Sequence, residues 1–244
     1  MYKNNIYKNF GKRIFDLIFS LSIIVPILLI SLPFLLLVWI DDRHNPFYLA
    51  RRVGRKLKPF PLIKIRSMVV KADKSNVIST KKNDPRITKV GLTIRKFKID
   101  ELPQIINIIF GQMSFVGPRP NTYKHGVELY TESELKQLDI LPGITDFSSI
   151  IFSDEGNILS NSEDPDTDYN NLIRPWKSRL GLLYKDNCSL ILDLKLIILT
   201  AINIFNRKYA LKEINKLLIK LTVDKELISV CLRNRKLYKK DPPS

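Results

Sequence analysis

Residues 17–40 read LIFSLSIIVPILLISLPFLLLVWI and contain no charged side chain. As one straight helix these 24 residues would be about 36 Å long, enough to cross a hydrocarbon core of about 30 Å. Pro26 and Pro33 lie inside the block, and a proline removes the hydrogen bond to the carbonyl four residues earlier. If the helix breaks at Pro26, its arms 17–25 and 26–40 measure about 14 and 22 Å, and neither spans the core.

Positive charge stands on both sides of this block. Positive residues mark the cytoplasmic side of a membrane segment, so a single crossing predicts an excess at one end only. The presence of positive charge on both flanks favours a re-entrant helix that turns near Pro26 and Pro33 and returns to the side from which it entered. A kinked span stays open, because membrane helices tolerate proline. The flanking cations are Lys3, Lys8, Lys12 and Arg13 before the block, and Arg43, Arg51, Arg52, Arg55, Lys56 and Lys58 after it.

The whole chain is basic. Its 244 residues contain 40 Lys and Arg against 24 Asp and Glu, a net charge of +16. Such an excess indicates an anionic partner: nucleic acid, anionic lipid or a phosphorylated substrate. The chain has two cysteines, Cys188 and Cys231, which are too few for a disulfide framework. They form no metal-ligand spacing with His44 or His125, which argues against a structural zinc. The sequence signatures of phosphate-binding loops, serine hydrolases and zinc proteases are missing as well.

Beyond residue 43 the pattern predicts a mainly helical domain with little β structure. Short extended pieces are expected at residues 47–49 and 60–65. Residues 99–110 have the pattern of a helix that Asp100 could cap and Gly111 ends. Residues 190–205 are apolar but interrupted by polar side chains, which favours a helix lying in the membrane interface over a second span. Residues 153–171 form an acidic insertion, and residues 206–240 a basic amphipathic tail.

Asp100 and Glu101 are adjacent acids at the start of an apolar run. One interpretation is helix capping, because carboxylates stabilise a helix N-terminus. The other is chemical: one carboxylate acts as a nucleophile, and the other holds Mg²⁺ beside phosphate oxygens.

Three cations are candidates for binding phosphate. Arg119 lies between Pro118 and Pro120, which restrict the backbone and preorganise a guanidinium suited to phosphate, although a solvated loop arginine fits too. Lys64 alternates with apolar residues on a strand, so it is either a ligand or part of a solvated strand face. Arg86 follows Asp84 in a segment that also fits a simple Asx turn.

Eight segments, read in order, resemble the bacterial sugar transferases, and more narrowly the small monotopic phosphoglycosyl transferases. The resemblance covers roughly residues 10–205. The segments are Lys12-Arg13-Ile14-Phe15-Asp16, Arg52-Val53-Gly54, Lys64-Ile65-Arg66-Ser67-Met68, Asp84-Pro85-Arg86-Ile87-Thr88, Asp100-Glu101-Leu102-Pro103-Gln104, residues 111–120 (GQMSFVGPRP), Leu141-Pro142-Gly143-Ile144-Thr145 and residues 189–195 (SLILDLK).

The resemblance implies an activity: transfer of a sugar-1-phosphate from a nucleotide sugar, expected to be a UDP-sugar, to polyprenyl phosphate. Asp100 would be the nucleophile and would carry a covalent phosphosugar, Glu101 would hold Mg²⁺ with Asp100, and Lys64, Arg86 and Arg119 would contact phosphates. Lys12 and Arg13 would anchor the re-entrant helix at the lipid headgroups. The family usually has Gly where this chain has Asp146, and residues 147–157 replace a stretch implicated in donor recognition. The resemblance therefore does not identify the sugar of the donor.

The sequence thus predicts an α+β fold, mainly α, with a compact domain on the cytoplasmic face of the inner membrane. Its parts are a re-entrant helix at 1–43, a catalytic domain at 44–205 and a basic tail at 206–244. The expected partners are a nucleotide sugar, polyprenyl phosphate and anionic lipids, in the first membrane step of surface-glycan assembly, and nucleic acid is not expected. A homodimer is left open. The alternative is a non-catalytic, membrane-tethered protein that binds nucleic acid or anionic lipid.

Overall fold

A computed structural model describes residues 7–72, 79–81, 83–123, 126–233 and 236–244. Lys3, one of the flanking cations, lies outside them. The helices are α1 (Lys12–Asp42), α2 (Lys89–Lys96), α3 (Gln104–Ile109), α4 (Glu132–Leu135), α5 (Phe147–Ile151), α6 (Glu155–Ile158), α7 (Pro165–Asp168), α8 (Arg174–Asn187), α9 (Leu190–Phe205), α10 (Arg207–Lys220) and α11 (Lys225–Cys231). The strands are β1 (Phe47–Val53), β2 (Pro59–Ile65), β3 (Ser114–Val116) and β4 (Gly143–Thr145).

Helix α1 runs without interruption through Pro26 and Pro33, so the predicted break at Pro26 is wrong. One stripe along its whole length faces the rest of the chain, and both prolines are exposed outside that stripe. Packing along the stripe can offset the backbone hydrogen bonds that each proline removes. The buried members of the stripe are Lys12, Asp16, Ser20, Ser31 and Val38.

Both ends of α1 are joined to the same body. Near its start, Lys12 forms an ion pair with Asp193 of α9 at 2.6 Å. At its end, Asp42 accepts hydrogen bonds from both terminal nitrogens of Arg66, at 2.5 and 2.6 Å. Among the described residues α1 is long and apolar enough to cross a membrane. Its attachment at both ends nevertheless lays it along the domain, with an outer face of exposed leucine and isoleucine side chains.

Two small sheets accompany the helices. β1 and β2 form an antiparallel hairpin in which Phe47 pairs with Ile65 and Val53 with Pro59. β3 and β4 pair in parallel, Ser114 with Gly143 and Val116 with Thr145. The extended pieces predicted at 47–49 and 60–65 are confirmed as the two strands of the hairpin. The fold is mainly α with a small β component, as the sequence predicts.

The main core lies where α5, α8, α9 and α10 meet. Trp176, Tyr184 and Phe147 are completely buried there. The tail expected beyond residue 205 contributes to this same core through Ala210, Ile214 and Leu218 of α10 and Leu227 and Val230 of α11. The amphipathic pattern of the tail therefore reflects packing against the domain.

Helix α9 has two different faces. Leu192, Leu196 and Leu199 point into the core. Ile191 and Ile198, on the other side, are exposed, as is Phe205 at its end. An apolar face left outside the core is what an interfacial helix requires.

Candidate active site

Asp100 and Glu101 lie in a single 3₁₀ turn, Ile99–Glu101, ahead of α3. Lys98 precedes the turn in the left-handed backbone conformation, with φ of 55°. The residue at the N-cap position of α3 is Pro103, and no side chain caps either element. Asp100 is therefore not a helix cap, and the capping interpretation is wrong. Both acids are buried, at 7% and 8% exposure. Helix capping does not explain why two carboxylates are buried here, so they must have another role.

Two of the predicted cations converge on this pair. The Nζ of Lys64, on β2, lies 3.3 Å from Oε1 of Glu101 and 3.7 Å from Oδ2 of Asp100. Arg119 donates from Nη2 to Oε1 of Glu101, and its Nη1 lies 3.4 Å from Oε2. The guanidinium and the ammonium thus hold Glu101 between them, whereas the ammonium of Lys64 lies farther from Asp100, at 3.7 Å.

The backbone around the pair is fixed by α3 and the β hairpin. Asn107 of α3 donates to the carbonyl of Pro61 at 2.7 Å and accepts from the amide of Ile63 at 3.0 Å, which ties β2 and Lys64 to the acidic turn. Arg119 follows Gly117, which passes so close to the β4 strand entry that an added Cβ would lie 2.4 Å from the carbonyl oxygen of Leu141. Only glycine permits this approach.

The two carboxylates differ in their electrostatics. Burial raises the pKa of Asp100 above its ordinary value, against the opposing charge of Lys64. Burial also acts to raise the pKa of Glu101, but the charges of Arg119 and Lys64 outweigh it and hold that pKa far below its ordinary range. Glu101 is thus a fixed anion neutralised by two cations, and Asp100 is a poorly solvated carboxylate, which favours its use as a nucleophile.

Sequence reasoning missed two neighbours of the pair. The charge of Arg95, on α2, acts on Asp100 and lowers its pKa. Burial lowers the pKa of the Lys98 ammonium, while the charge of Glu101 opposes this effect. Arg95 and Lys98 lie five and two residues before Asp100. This closeness in the sequence was the only feature that could have identified them as neighbours of the acidic pair.

Arg86 and Arg66 are not part of the described cluster around the acidic pair. Arg86 forms a paired contact with Asp84, from Nε to Oδ1 at 2.9 Å and from Nη2 to Oδ2 at 2.7 Å. Arg66 binds Asp42 at the end of α1. The phosphate contact expected of Arg86 stays a prediction.

The expected anchoring of Lys12 and Arg13 at lipid headgroups needs correction. Lys12 is 7% exposed and donates to Asp193 and to the hydroxyl of Tyr184, at 2.6 and 2.8 Å. Arg13 donates to the backbone carbonyls of Ile108 and Ile109 at 2.6 and 2.7 Å, at the end of α3. Both cations therefore bind α1 to the domain, because a buried ammonium needs a carboxylate and a helix end needs donors.

The described residues contain no group of three or more His, Cys, Asp or Glu side chains that would enclose a metal. Mg²⁺ commonly binds through one or two carboxylates, with substrate phosphates and waters as the other ligands. Asp100 and Glu101 fit that limited donor set.

The chain is similar in sequence to several known bacterial proteins. The chain is 34% identical over 192 residues to the uncharacterized sugar transferase EpsL of Bacillus subtilis, covering 78% of this chain and 84% of that protein. It is 34% identical to the UDP-glucose:undecaprenyl-phosphate glucose-1-phosphate transferase of Klebsiella pneumoniae, over 82% of this chain and 41% of the relative.

A putative undecaprenyl-phosphate N-acetylgalactosaminyl 1-phosphate transferase of Bacillus subtilis is 41% identical over 45% of this chain. The chain spans 61% and 41% of the lengths of the N-acetylgalactosaminyl and glucose transferases. The sequence model of the family described as bacterial sugar transferase matches residues 7–207. The acidic pair, its cations and α1 all lie within that match, and the chain belongs to the bacterial sugar transferase family.

Proposed function

We propose that this protein transfers a sugar-1-phosphate from a nucleotide sugar, a UDP-sugar, to undecaprenyl phosphate. The observation that carries the proposal is Asp100: a buried carboxylate that caps no helix, beside a second acid already neutralised by Lys64 and Arg119. The names of two relatives, a glucose-1-phosphate and an N-acetylgalactosaminyl 1-phosphate transferase acting on undecaprenyl phosphate, support the same reaction class.

The reaction proceeds in two displacements at one phosphorus atom. A carboxylate oxygen of Asp100 attacks the phosphorus that carries the sugar, and an Oδ–P bond forms. The bond from that phosphorus to the bridging oxygen breaks, and the nucleoside monophosphate leaves with the electron pair. A phosphate oxygen of the polyprenyl acceptor then attacks the same phosphorus, which releases the Asp100 carboxylate and yields a polyprenyl diphosphate sugar.

Neighbouring charges suit these steps. Arg119 and Lys64 can stabilise the negative charge that develops on the phosphate oxygens. A carboxylate is ionised at neutral pH and needs no general base, which fits a chain with two histidines. Glu101, with Asp100, would hold Mg²⁺, and the ion would neutralise phosphate charge when bound.

The acceptor is a membrane lipid, and α1 supplies the membrane contact. Its inner stripe is fixed to the domain, and its outer face presents apolar side chains such as Leu21, Val25 and Leu29. A helix held at both ends by one body would enter the bilayer from one side, with the domain on the cytoplasmic face among anionic headgroups. The product would begin a surface glycan, since two further relatives are named for exopolysaccharide production.

The test uses the full chain in detergent with UDP-sugars labelled in the sugar phosphate. Without acceptor, we expect Mg²⁺-dependent release of UMP and protein-bound label, in an amount close to that of the enzyme. Adding undecaprenyl phosphate should move the label to lipid, and Asp100→Asn should abolish both signals. If no UDP-sugar yields UMP in the presence of acceptor, the proposal is wrong. The non-catalytic alternative, a binder of nucleic acid or anionic lipid, predicts that negative result.

A further inference from the structure

Arg52, in β1, is a partly buried cation to which the reaction above assigns no role. No carboxylate of the described residues lies within ion-pair distance of its guanidinium, and its Nη1 donates to the backbone carbonyl of Arg51 at 3.1 Å. Lys64 and Arg119, by contrast, both have Glu101 as a partner. A charged group taken partly out of water without an opposite charge is unfavourable. Arg52 is therefore available to an anion that comes from outside the chain.

The β hairpin places Arg52 and Lys64 on the same face. Lys64 lies directly opposite Tyr48, and Ala50 opposite Leu62. Opposite residues share a face and side chains alternate along a strand, so Arg52, two residues beyond Ala50, belongs to this face as well. Ala50 and Leu62 are buried in the main core, so the face is turned toward the domain. The two cations are four residues apart in register, which is about 13 Å along the strands.

The end of β1 is attached to the loop that carries Arg119. The amide of Val53 donates to the carbonyl of Asn121 at 2.9 Å, one residue after Arg52 and two residues after Arg119. Burial lowers the pKa of the Arg52 guanidinium, and the charge of Arg119 lowers it further, against the opposing effect of Tyr48. Arg52 is thus a neighbour of Arg119 that does not itself pair with either acid of the site.

The proposed reaction requires a second phosphate beside the one that reacts. The phosphorus that Asp100 attacks lies near Arg119, and the attacking and leaving oxygens stand roughly in line across it. The phosphate of the leaving nucleoside monophosphate is therefore on the side opposite Asp100. A guanidinium offers paired donors that match phosphate oxygens. Arg52, beside Arg119 and without a carboxylate, is suited to bind this second phosphate.

The second displacement brings another phosphate to the same position. The acceptor oxygen attacks on the side opposite the departing oxygen of Asp100, because this step is also in line. That is the side from which the nucleoside monophosphate has left. The acceptor phosphate therefore takes the place of the leaving phosphate, and one cation can serve both steps.

We propose that Arg52 binds the phosphate that stands opposite Asp100 across the reacting phosphorus. This is the phosphate of the nucleoside monophosphate in the first displacement and that of polyprenyl phosphate in the second. The proposal rests on the proposed transferase function and adds a binding residue to it.

The test measures the two displacements separately in single-turnover experiments. The first is UMP release without acceptor, from the UDP-sugar that the wild type uses best. The second is transfer of label from the isolated phosphosugar-enzyme to undecaprenyl phosphate. The variants are Arg52→Gln and Arg52→Lys. Arg51→Gln is the matched control, because Arg51 is the exposed neighbour on the other face of the same strand.

We expect Arg52→Gln to slow both displacements about ten- to 150-fold at low substrate concentration, the effect of losing one charge-assisted hydrogen bond. Arg52→Lys should lose less, because an ammonium keeps the charge but not the paired donors. Arg51→Gln should match the wild type. The thermal unfolding midpoint of Arg52→Gln should stay close to that of Arg51→Gln, because the substitution breaks no ion pair among the described residues.

Equal rates for Arg52→Gln and Arg51→Gln in either displacement would overturn the assignment, because the proposal requires one position for both phosphates. A lowered midpoint with unchanged rates per folded enzyme would indicate a purely structural role and also counts against it. If Arg52→Gln does not fold, Arg52→Lys decides, and wild-type rates for that variant overturn the assignment. Failure of the wild type to release UMP contradicts the transferase function itself, and the assignment of Arg52 falls with it.

Discussion

Lys12, at the start of α1, donates to Asp193 of α9 at 2.6 Å, with the carboxylate fully buried. The hydroxyls of Tyr7 and Tyr184 donate to the same carboxylate, each at 2.6 Å. This network joins α1 to the core helices α8 and α9.

Lys12→Met should destabilise the fold strongly, because it leaves Asp193 buried without its cation. Breaking a buried ion pair typically costs about 3–5 kcal/mol, and the two tyrosine hydroxyls should reduce that cost somewhat. The measurement is the thermal unfolding midpoint in detergent. The control is Lys212→Met, at an exposed position of α10. Equal midpoints for the two variants would contradict a stabilising role for the pair.

Asp100→Ala should abolish transfer without the stability loss expected for a lost helix cap, about 1 kcal/mol. The structure gives the reason: Asp100 caps no helix, and its removal relieves the burial of a carboxylate. Unfolding and UMP release are measured on the same preparation. The N-cap substitution Thr88→Ala is the matched control, because Thr88 accepts from the amide of Gly91 and does cap α2. A working but destabilised Asp100→Ala would restore the capping interpretation.

Arg119→Lys should lose activity although charge is kept. A guanidinium can contact both oxygens of Glu101 and still face a phosphate, which an ammonium cannot reproduce. Loss of one charge-assisted hydrogen bond of about 1.5–3 kcal/mol corresponds to about ten- to 150-fold in kcat/KM. Arg55→Lys, at an exposed position, is the control. Near wild-type kinetics for Arg119→Lys would remove Arg119 from the site.

The pH dependence of kcat/KM should show an acidic limb above pH 3.8, the ordinary pKa of an aspartate. Burial raises the pKa of Asp100, so a larger share is protonated and inactive as the pH falls. The charge of Lys64 lowers that pKa, so Lys64→Gln should move the limb to higher pH as well as reduce activity. A limb that stays in place, or moves to lower pH, would show that Asp100 does not set it.

Both flanks of α1 should lie on the cytoplasmic side. Single cysteines at Lys3, which lies outside the described residues, and at Arg55 are probed with an impermeant thiol reagent. We expect no labelling of either in intact cells and labelling of both after permeabilisation. The unsubstituted chain is the control, because Cys188 and Cys231 are buried. Labelling of only one of the two sites in intact cells would establish a spanning helix.

The sequence by itself determined the parts of the fold that depend on local pattern. The apolar block at 17–40, the alternation around Ile63 and Ile65 and the helical periodicity of 206–220 each depend on which neighbouring residues are apolar, and the structure confirms these elements. The Asp100-Glu101 pair could be identified because two adjacent acids precede an apolar run. The Pro118-Arg119-Pro120 loop could be identified because an arginine lies between two prolines.

The tertiary structure decided what depends on contacts between distant segments. Asp100 is not a cap because Lys98 adopts the left-handed conformation and Pro103 takes the N-cap position. α1 continues through Pro26 because it is packed along its length against the domain. Lys12 pairs with a carboxylate 181 residues away, and the charge of Glu155, in the acidic insertion, acts on Arg119 only in the folded chain. A residue's charge and hydropathy show that it needs a partner, but which partner it finds is decided by the packing of the whole chain.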